Sequence, residues 1–213
     1  CFSTNDKIIV QTYSMASSIA NLLPPKKNIQ VEKEPWTKYL NEYFKESSYN
    51  YYSNNYHRLT LSNGYLINKS QDQILFFYPA SDLPHKNHRR LFEAFSKVSL
   101  ITNLDICLIV TISFPAAQAF QQIPSCIKPI GTINQNEIKR IYEISDFLIF
   151  PSLLESLGLP ILEASSLNLP IIASDLDFVH EISSPMYTFN PMSTNSIADS
   201  IIKSIKNIKK GEI

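Results

Sequence analysis

Short, continuously apolar runs alternate along this chain with longer stretches whose apolar residues recur every three or four positions. Ile74–Tyr78, Leu104–Thr111, Ile127–Ile130, Phe147–Phe150 and Leu169–Ala173 are runs of the first kind. Such runs, bounded by turn residues, predict strands of a parallel sheet covered on both faces. Leu91, Phe92, Phe95 and Val98 stripe a helix from about His88 to Val98, with Asn87 as its expected N-cap. Ile138, Ile141 and Tyr142 do the same over Glu137–Ile144, capped by Asn134/Gln135, and Ile197, Ile201, Ile205 and Ile208 over Ser196–Ile208. Shorter elements are expected at Ala116–Gln122 (helix), Asp177–Ile182 (helix) and Tyr187–Asn190 (strand). Strand and helix alternate at least four times after Ile74. That predicts an α/β fold, a doubly wound parallel sheet of Rossmann type.

The pattern weakens before Ile74. Lys7–Gln11 reads as a strand, Ser14–Leu23 as a helix closed by Pro24-Pro25, and Asn28–Val31 as an edge strand. Trp36, Tyr39, Leu40, Tyr43 and Phe44 have amphipathic helical spacing. Ser47–Asn55 is rich in Ser, Asn and Tyr without a period, and basic residues there are sparse. It reads as a polar loop whose tyrosines pack on their neighbours, in preference to a nucleic-acid surface.

Bulk composition narrows the classes. A 213-residue chain with 44% hydrophobic residues can bury a full core. Nineteen basic residues balance nineteen acidic ones, so the totals call for neither nucleic acid nor an anionic membrane. No apolar run reaches the ~20 residues of a bilayer span. Cys1, Cys107 and Cys126 lack metal-ligand spacing, no metal site is expected, and Cys107 reads as a small core residue. A reducing cytosol fits, with the basic tail at Lys206, Lys209 and Lys210 allowing peripheral contact with the inner membrane face. With neither an initiator Met nor a signal-peptide pattern, the chain reads as a segment of something longer.

The candidate chemistry sits after Phe147–Phe150. Ser152–Gly158 is a loop carrying Glu155, and Pro160 suits the start of a helix that runs to about Leu167. Asn168 suits a left-handed stop, and Pro170 forbids continuation. The amides of Gly158 and Leu159 at the helix N-terminus suit an anion such as a diphosphate, and Glu155 and Glu163 flank them as hydroxyl acceptors. A helix-capping Glu163 with a solvated Glu155 fits the residues equally well. Lys86 stands at a second strand–loop–helix junction as a point charge for phosphate. No GxGxxG follows the first strand, which argues against a dinucleotide dehydrogenase.

Phe150-Pro151-Ser152, Glu155, Gly158-Leu159-Pro160, Glu163-Ala164 and Pro170-Ile171-Ile172-Ala173-Ser174-Asp175 together resemble the signature of the family-four glycosyltransferases of GT-B architecture. The resemblance implies a donor-binding Rossmann-like domain over 73–213, a connecting segment over 35–72, and the tail of an acceptor-side domain over 1–34. It implies that Lys86 meets the donor's diphosphate, Glu155 holds donor-sugar hydroxyls and Glu163 those of the ribose. The nucleotide base would pack near Ile130, Gly131 and Thr132. Glu181 matches a family Glu and reads as structural or as a support behind the site. Ser81 stands where many members carry an Arg, and Ile112-Ser113-Phe114-Pro115 replaces a Gly-rich turn.

The function so implied is transfer of a hexose from a nucleotide-sugar to a hydroxyl acceptor, glycan or lipid-linked. Retained configuration, no cofactor and no essential metal go with it, in surface-polysaccharide or glycoconjugate synthesis. Two alternatives remain open: a non-catalytic nucleotide-sugar-binding module, and a half-enzyme whose acceptor domain comes from a partner.

Overall fold

A computed structural model describes residues 7–10, 12–21, 28–31, 40, 44, 57–120 and 123–210. The expected helix over Trp36–Phe44, apart from Leu40 and Phe44, and the loop over Ser47–Asn55 lie outside these residues. The chain opens with β1 (Lys7–Val10), α1 (Tyr13–Ala20) and β2 (Asn28–Val31), the two strands pairing in parallel. A hairpin follows, β3 (His57–Thr60) and β4 (Leu66–Lys69). Then come β5 (Ile74–Tyr78), α2 (His88–Ile101), β6 (Ile106–Val110), α3 (Phe114–Gln118), β7 (Ile127–Pro129) and α4 (Gln135–Ile144). The chain continues through β8 (Phe147–Phe150), α5 (Leu159–Ser166), β9 (Ile171–Ser174), α6 (Asp177–His180), β10 (Tyr187–Phe189) and α7 (Thr194–Lys210).

Six strands form one parallel sheet in the order β10-β9-β8-β5-β6-β7. The doubly wound Rossmann-type sheet expected from the apolar runs is therefore present. β5, β6, β8 and β9 are buried at every position, as strands covered on both faces require. Phe76 stacks on Phe147 of the neighbouring strand, ring centroids 5.2 Å apart, and meets Phe95 of α2 edge-on at the same separation. The aromatic pairs thus tie the sheet centre to a covering helix.

The order matters for function. From β5 the sheet grows one way through β6 and β7, and the other way through β8, β9 and β10. The order in which strands are added reverses between β5 and β8, which run parallel. Loops leaving the carboxyl ends of two such strands diverge and leave a crevice, where open α/β sheets bind ligands.

The hairpin went unforeseen. Leu59, Leu61 and Ile67 join the main core, while Arg58, Thr60 and Leu66 face out. Its turn is Ser62-Asn63-Gly64, with Gly64 at φ 82°, a conformation glycine adopts without a steric penalty. Asn-Gly between alternating residues is a strong hairpin signal, so the sequence did carry it. The hairpin is fixed to α4 at both ends. Ser62 donates its amide and hydroxyl to the Glu137 carboxylate, and Lys69 Nζ reaches the Ile144 carbonyl (2.9 Å) and Asp146 (2.8 Å).

Two caps were expected on the main helices, and one of them fails. Asn134 and Glu137 form a reciprocal capping box on α4, as expected at that end. Asn87, the expected cap of α2, instead sits in the left-handed region at φ 61° and makes no capping bond. Its side-chain amide is turned inward to the carbonyls of Pro151 (3.1 Å) and Pro191 (2.8 Å). With the side chain turned inward by those two bonds, the Oδ1 that would have capped the helix accepts from Arg90 Nη1 instead, at 3.1 Å.

Candidate functional site

Lys86 and Glu155 lie on the loops that leave β5 and β8, the strands flanking the switch point. Their side chains meet: Lys86 Nζ is 2.6 Å from Glu155 Oε1, with 16% and 11% of the two side chains exposed. The solvated-loop alternative for Glu155 therefore does not hold. An ion pair this sheltered is desolvated on most sides.

Several bonds clamp the two loops together beneath that pair. The Leu153 amide donates to the His85 carbonyl (2.8 Å). Tyr78, fully buried at the end of β5, donates its hydroxyl to the Lys86 carbonyl (3.0 Å). That leaves the buried Ser152 hydroxyl to donate to the Tyr78 oxygen across 2.7 Å. Burial pushes the Tyr78 phenol well above its ordinary pKa, so it stays a protonated donor. One side chain thereby spaces the Lys86 loop from the Glu155 loop. Sequence reasoning missed it, since a strand-terminal Tyr is indistinguishable from a core residue until its partners are placed.

Gly158 ends the Glu155 loop at φ 76°, a left-handed conformation that side chains resist. A Cβ there would lie 3.0 Å from Ile182 Cδ1. Leu159 then opens α5 with Pro160 beside it, and Asn168, at φ 56°, follows the helix as the expected stop. Glu163 is buried one turn inside α5, and its Oε2 accepts from the Tyr142 hydroxyl at 2.9 Å. The same hydroxyl lies 3.3 Å from the Pro160 carbonyl, so α4 braces the first turn of α5.

Gly131 and Thr132 stand at the end of edge strand β7, two strands from β5. Gly131 is at φ 76°, and the Asn63 side chain of the hairpin turn donates to the adjacent Ile130 carbonyl at 2.7 Å. The structure brings Lys86 against Glu155 at the carboxyl ends of β5 and β8, with Gly158 and Leu159 following on the Glu155 loop, and leaves Gly131 and Thr132 after the edge strand.

Ser81, at the position of the family's usual Arg, is fixed by its backbone. The His88 Nε2–H donates to its carbonyl at 2.7 Å, and the neighbouring Ala80 exchanges bonds with the Thr111 hydroxyl (2.9 and 3.1 Å). Burial lowers the His88 pKa, so the ring is held neutral. Arg89 is exposed and paired with Glu93, and Arg90 bonds the Asn87 side chain, so neither replaces the missing Arg. Among the described residues, no three His, Cys, Asp or Glu side chains cluster as metal ligands would, and no helix is long and apolar enough to cross a membrane.

Comparison with known proteins bears on the family and the fold. The chain is 28% identical over 122 residues to the O-antigen chain mannosyltransferase RfbU of Salmonella typhimurium, covering 54% of this chain and 34% of that protein. It is similar in fold to TarM (TM-score 0.65, 16% identity, 94% of this chain and 36% of that one). It is similar also to the C-terminal domain of the glycosyl transferase group 1 family protein LpcC from Francisella tularensis (TM-score 0.54, 25% identity, 65% and 77% covered). A third neighbour is Anabaena Alr3699/HepE, whose structure is a complex with UDP and glucose (TM-score 0.54, 15% identity, 66% and 41% covered). The chain spans about a third of the length of RfbU and of TarM. The sequence model for glycosyl transferases group 1 matches residues 72–207, more than half of the 213, and the chain therefore belongs to that family, with the Rossmann-like fold of one half of a GT-B glycosyltransferase.

Proposed function

We propose that this chain is the donor-binding half of a retaining glycosyltransferase, which moves a hexose from a nucleotide-sugar to a hydroxyl of a glycan or lipid-linked acceptor. The observation that carries the reading is the meeting of Lys86 and Glu155 at the switch point, beside a helix N-terminus. Cation, amides and carboxylates in one crevice match the three parts of such a donor: diphosphate, sugar and ribose.

In the reaction, the bond from the sugar's anomeric carbon to the diphosphate breaks and its electron pair goes to the phosphate oxygen. The acceptor oxygen forms the new bond, and its proton passes to the departing diphosphate oxygen. Charge develops on the leaving diphosphate, and Lys86 with the amides of Gly158 and Leu159 stabilises it electrostatically, without calling on a divalent cation. Glu155 accepts from donor-sugar hydroxyls and Glu163 from ribose hydroxyls. Gly131 and Thr132 receive the base. Neither carboxylate is assigned a proton to give, so the two-acid scheme of glycoside hydrolysis does not apply.

Residues 73–213 form the donor domain in this reading, 35–72 a connection, and 1–34 the end of an acceptor-side domain. The mannosyltransferase relative supports mannose or a similar hexose and a role in surface-polysaccharide assembly. In this reading these residues bind the donor, and transfer also needs an acceptor half, in the same polypeptide or in a partner. A thermal-shift screen with UDP-glucose, UDP-N-acetylglucosamine and GDP-mannose tests the reading. One of them should raise the melting temperature, since a ligand bound only by the folded state stabilises it. No shift with any at millimolar concentration would remove the donor site.

A further inference from the structure

Glu181 closes α6, and both of its carboxylate oxygens are engaged by the start of α1. Oε2 accepts from the Tyr13 amide at 2.8 Å and Oε1 from the Ser14 amide at 2.7 Å, across 168 and 167 residues of chain. α1 has no acidic residue in its own first turn. Glu181 therefore gives that helix, from outside, the negative charge its positive end favours. Two charge-assisted bonds from one carboxylate are stronger and more directional than a pair of neutral ones.

The contact reaches the Glu155 loop by two routes. Thr12, the buried N-cap of α1, donates its hydroxyl to the Ser156 carbonyl at 3.3 Å, one residue from Glu155. Ile182, next to Glu181, has its Cδ1 3.0 Å from where a Cβ on Gly158 would stand. Both flanks of the loop thus rest on the seat of α1.

We propose that Glu181 is a positioning residue: by seating α1 it fixes the Ser156–Gly158 backbone, and with it the carboxylate of Glu155 opposite Lys86. The consequence for donor affinity rests on the donor-site reading above; the coupling of α1 to the loop does not. The opening strand–helix unit is on this view part of the site's geometry, and its docking and donor binding reinforce one another.

Amide hydrogen exchange on the full chain, wild type against Glu181→Gln, Glu181→Ala and Thr12→Val, tests this. In Glu181→Ala, the amides of Tyr13 and Ser14 should exchange at least about tenfold faster, and those of Ser156 and Leu157 should speed up with them, while β8 and β9 keep their protection. Glu181→Gln, retaining one acceptor, should fall between, and Thr12→Val should loosen Ser156 and Leu157 with a smaller effect at Tyr13. Where a nucleotide-sugar among UDP-glucose and GDP-mannose stabilises the wild type, its Kd should rise several-fold in Glu181→Ala and less in Glu181→Gln. Unchanged exchange at Ser156 and Leu157 in Glu181→Ala would overturn the proposal whatever the ligands do. If the loop loosens but neither nucleotide-sugar binds the wild type, the positioning role stands and the donor-site reading fails.

Discussion

Lys86 and Glu155, 69 residues apart in sequence, form a 2.6 Å ion pair at the point in the parallel sheet where the strand order reverses. Neither charge has full access to water, so each depends on the other until a ligand arrives. On the proposed donor-site reading, a diphosphate offers Lys86 a better partner, and sugar hydroxyls offer Glu155 donors in its place. The pair is thus a site held ready by its own two halves.

That mutual dependence is measurable. Removing either partner leaves the other charge sheltered and unpaired, which costs up to about 3 kcal/mol at a site with some remaining exposure. Glu155→Ala and Lys86→Ala should each lower the denaturation midpoint, and the double variant should recover part of the loss. A double-mutant cycle in urea should give a coupling of about 1 kcal/mol or more. Strict additivity would mean that the contact carries no energy.

Tyr142 gives a separate handle on the ribose end. Its hydroxyl donates to Glu163 at 2.9 Å from a buried position, and Phe would keep the packing while removing the donor. Tyr142→Phe should weaken binding of a nucleoside diphosphate about three- to tenfold, in line with the net worth of about 1 kcal/mol of a typical hydrogen bond. Titration with the 2′,3′-dideoxy form of the same nucleotide should show little difference between variant and wild type. An equal loss for both forms would place Glu163 away from the ribose.

Acid should loosen the chain in two steps. His88 is neutral in the fold because burial lowers its pKa below 6.5. The unfolded chain takes up a proton as pH falls through 6.5 while the folded chain does not, so stability present above that value is progressively lost below it. The slope from this one group is at most about 1.4 kcal/mol per pH unit. Glu137 acts lower down. The amide of Ser62 in particular lowers its pKa from 4.5, so its contribution is complete above that value and lost as pH falls through the folded one. Urea midpoints from pH 7.5 to 3.5 should fall across both windows, with His88→Gln flattening the upper and Glu137→Gln the lower.

Much of the frame was legible in the sequence because it rests on local rules. Phe147–Phe150 and Ile74–Tyr78 are strands over the residues expected, since a short apolar run bounded by proline or polar residues has few other stable states. The loops carrying Lys86 and Glu155 follow from those strand ends. What was not legible depends on distant partners. Asn87 reads as a helix cap until the carbonyls of Pro151 and Pro191, 64 and 104 residues on, are set beside it. Tyr78 reads as core until Ser152 and Lys86 meet its hydroxyl. The hairpin is a different case. Asn63-Gly64 was visible, but the aperiodic stretch before it obscured the alternation on either side.

Isothermal titration of the wild-type chain and of Lys86→Ala with UDP-glucose, UDP-N-acetylglucosamine and GDP-mannose tests the donor site most directly. The wild type should bind one of these with a defined Kd, and Lys86→Ala should weaken it well over tenfold, as expected when a charge-assisted contact to phosphate is removed. The same affinity in both proteins, or no binding by the wild type, would contradict a donor diphosphate seated at Lys86.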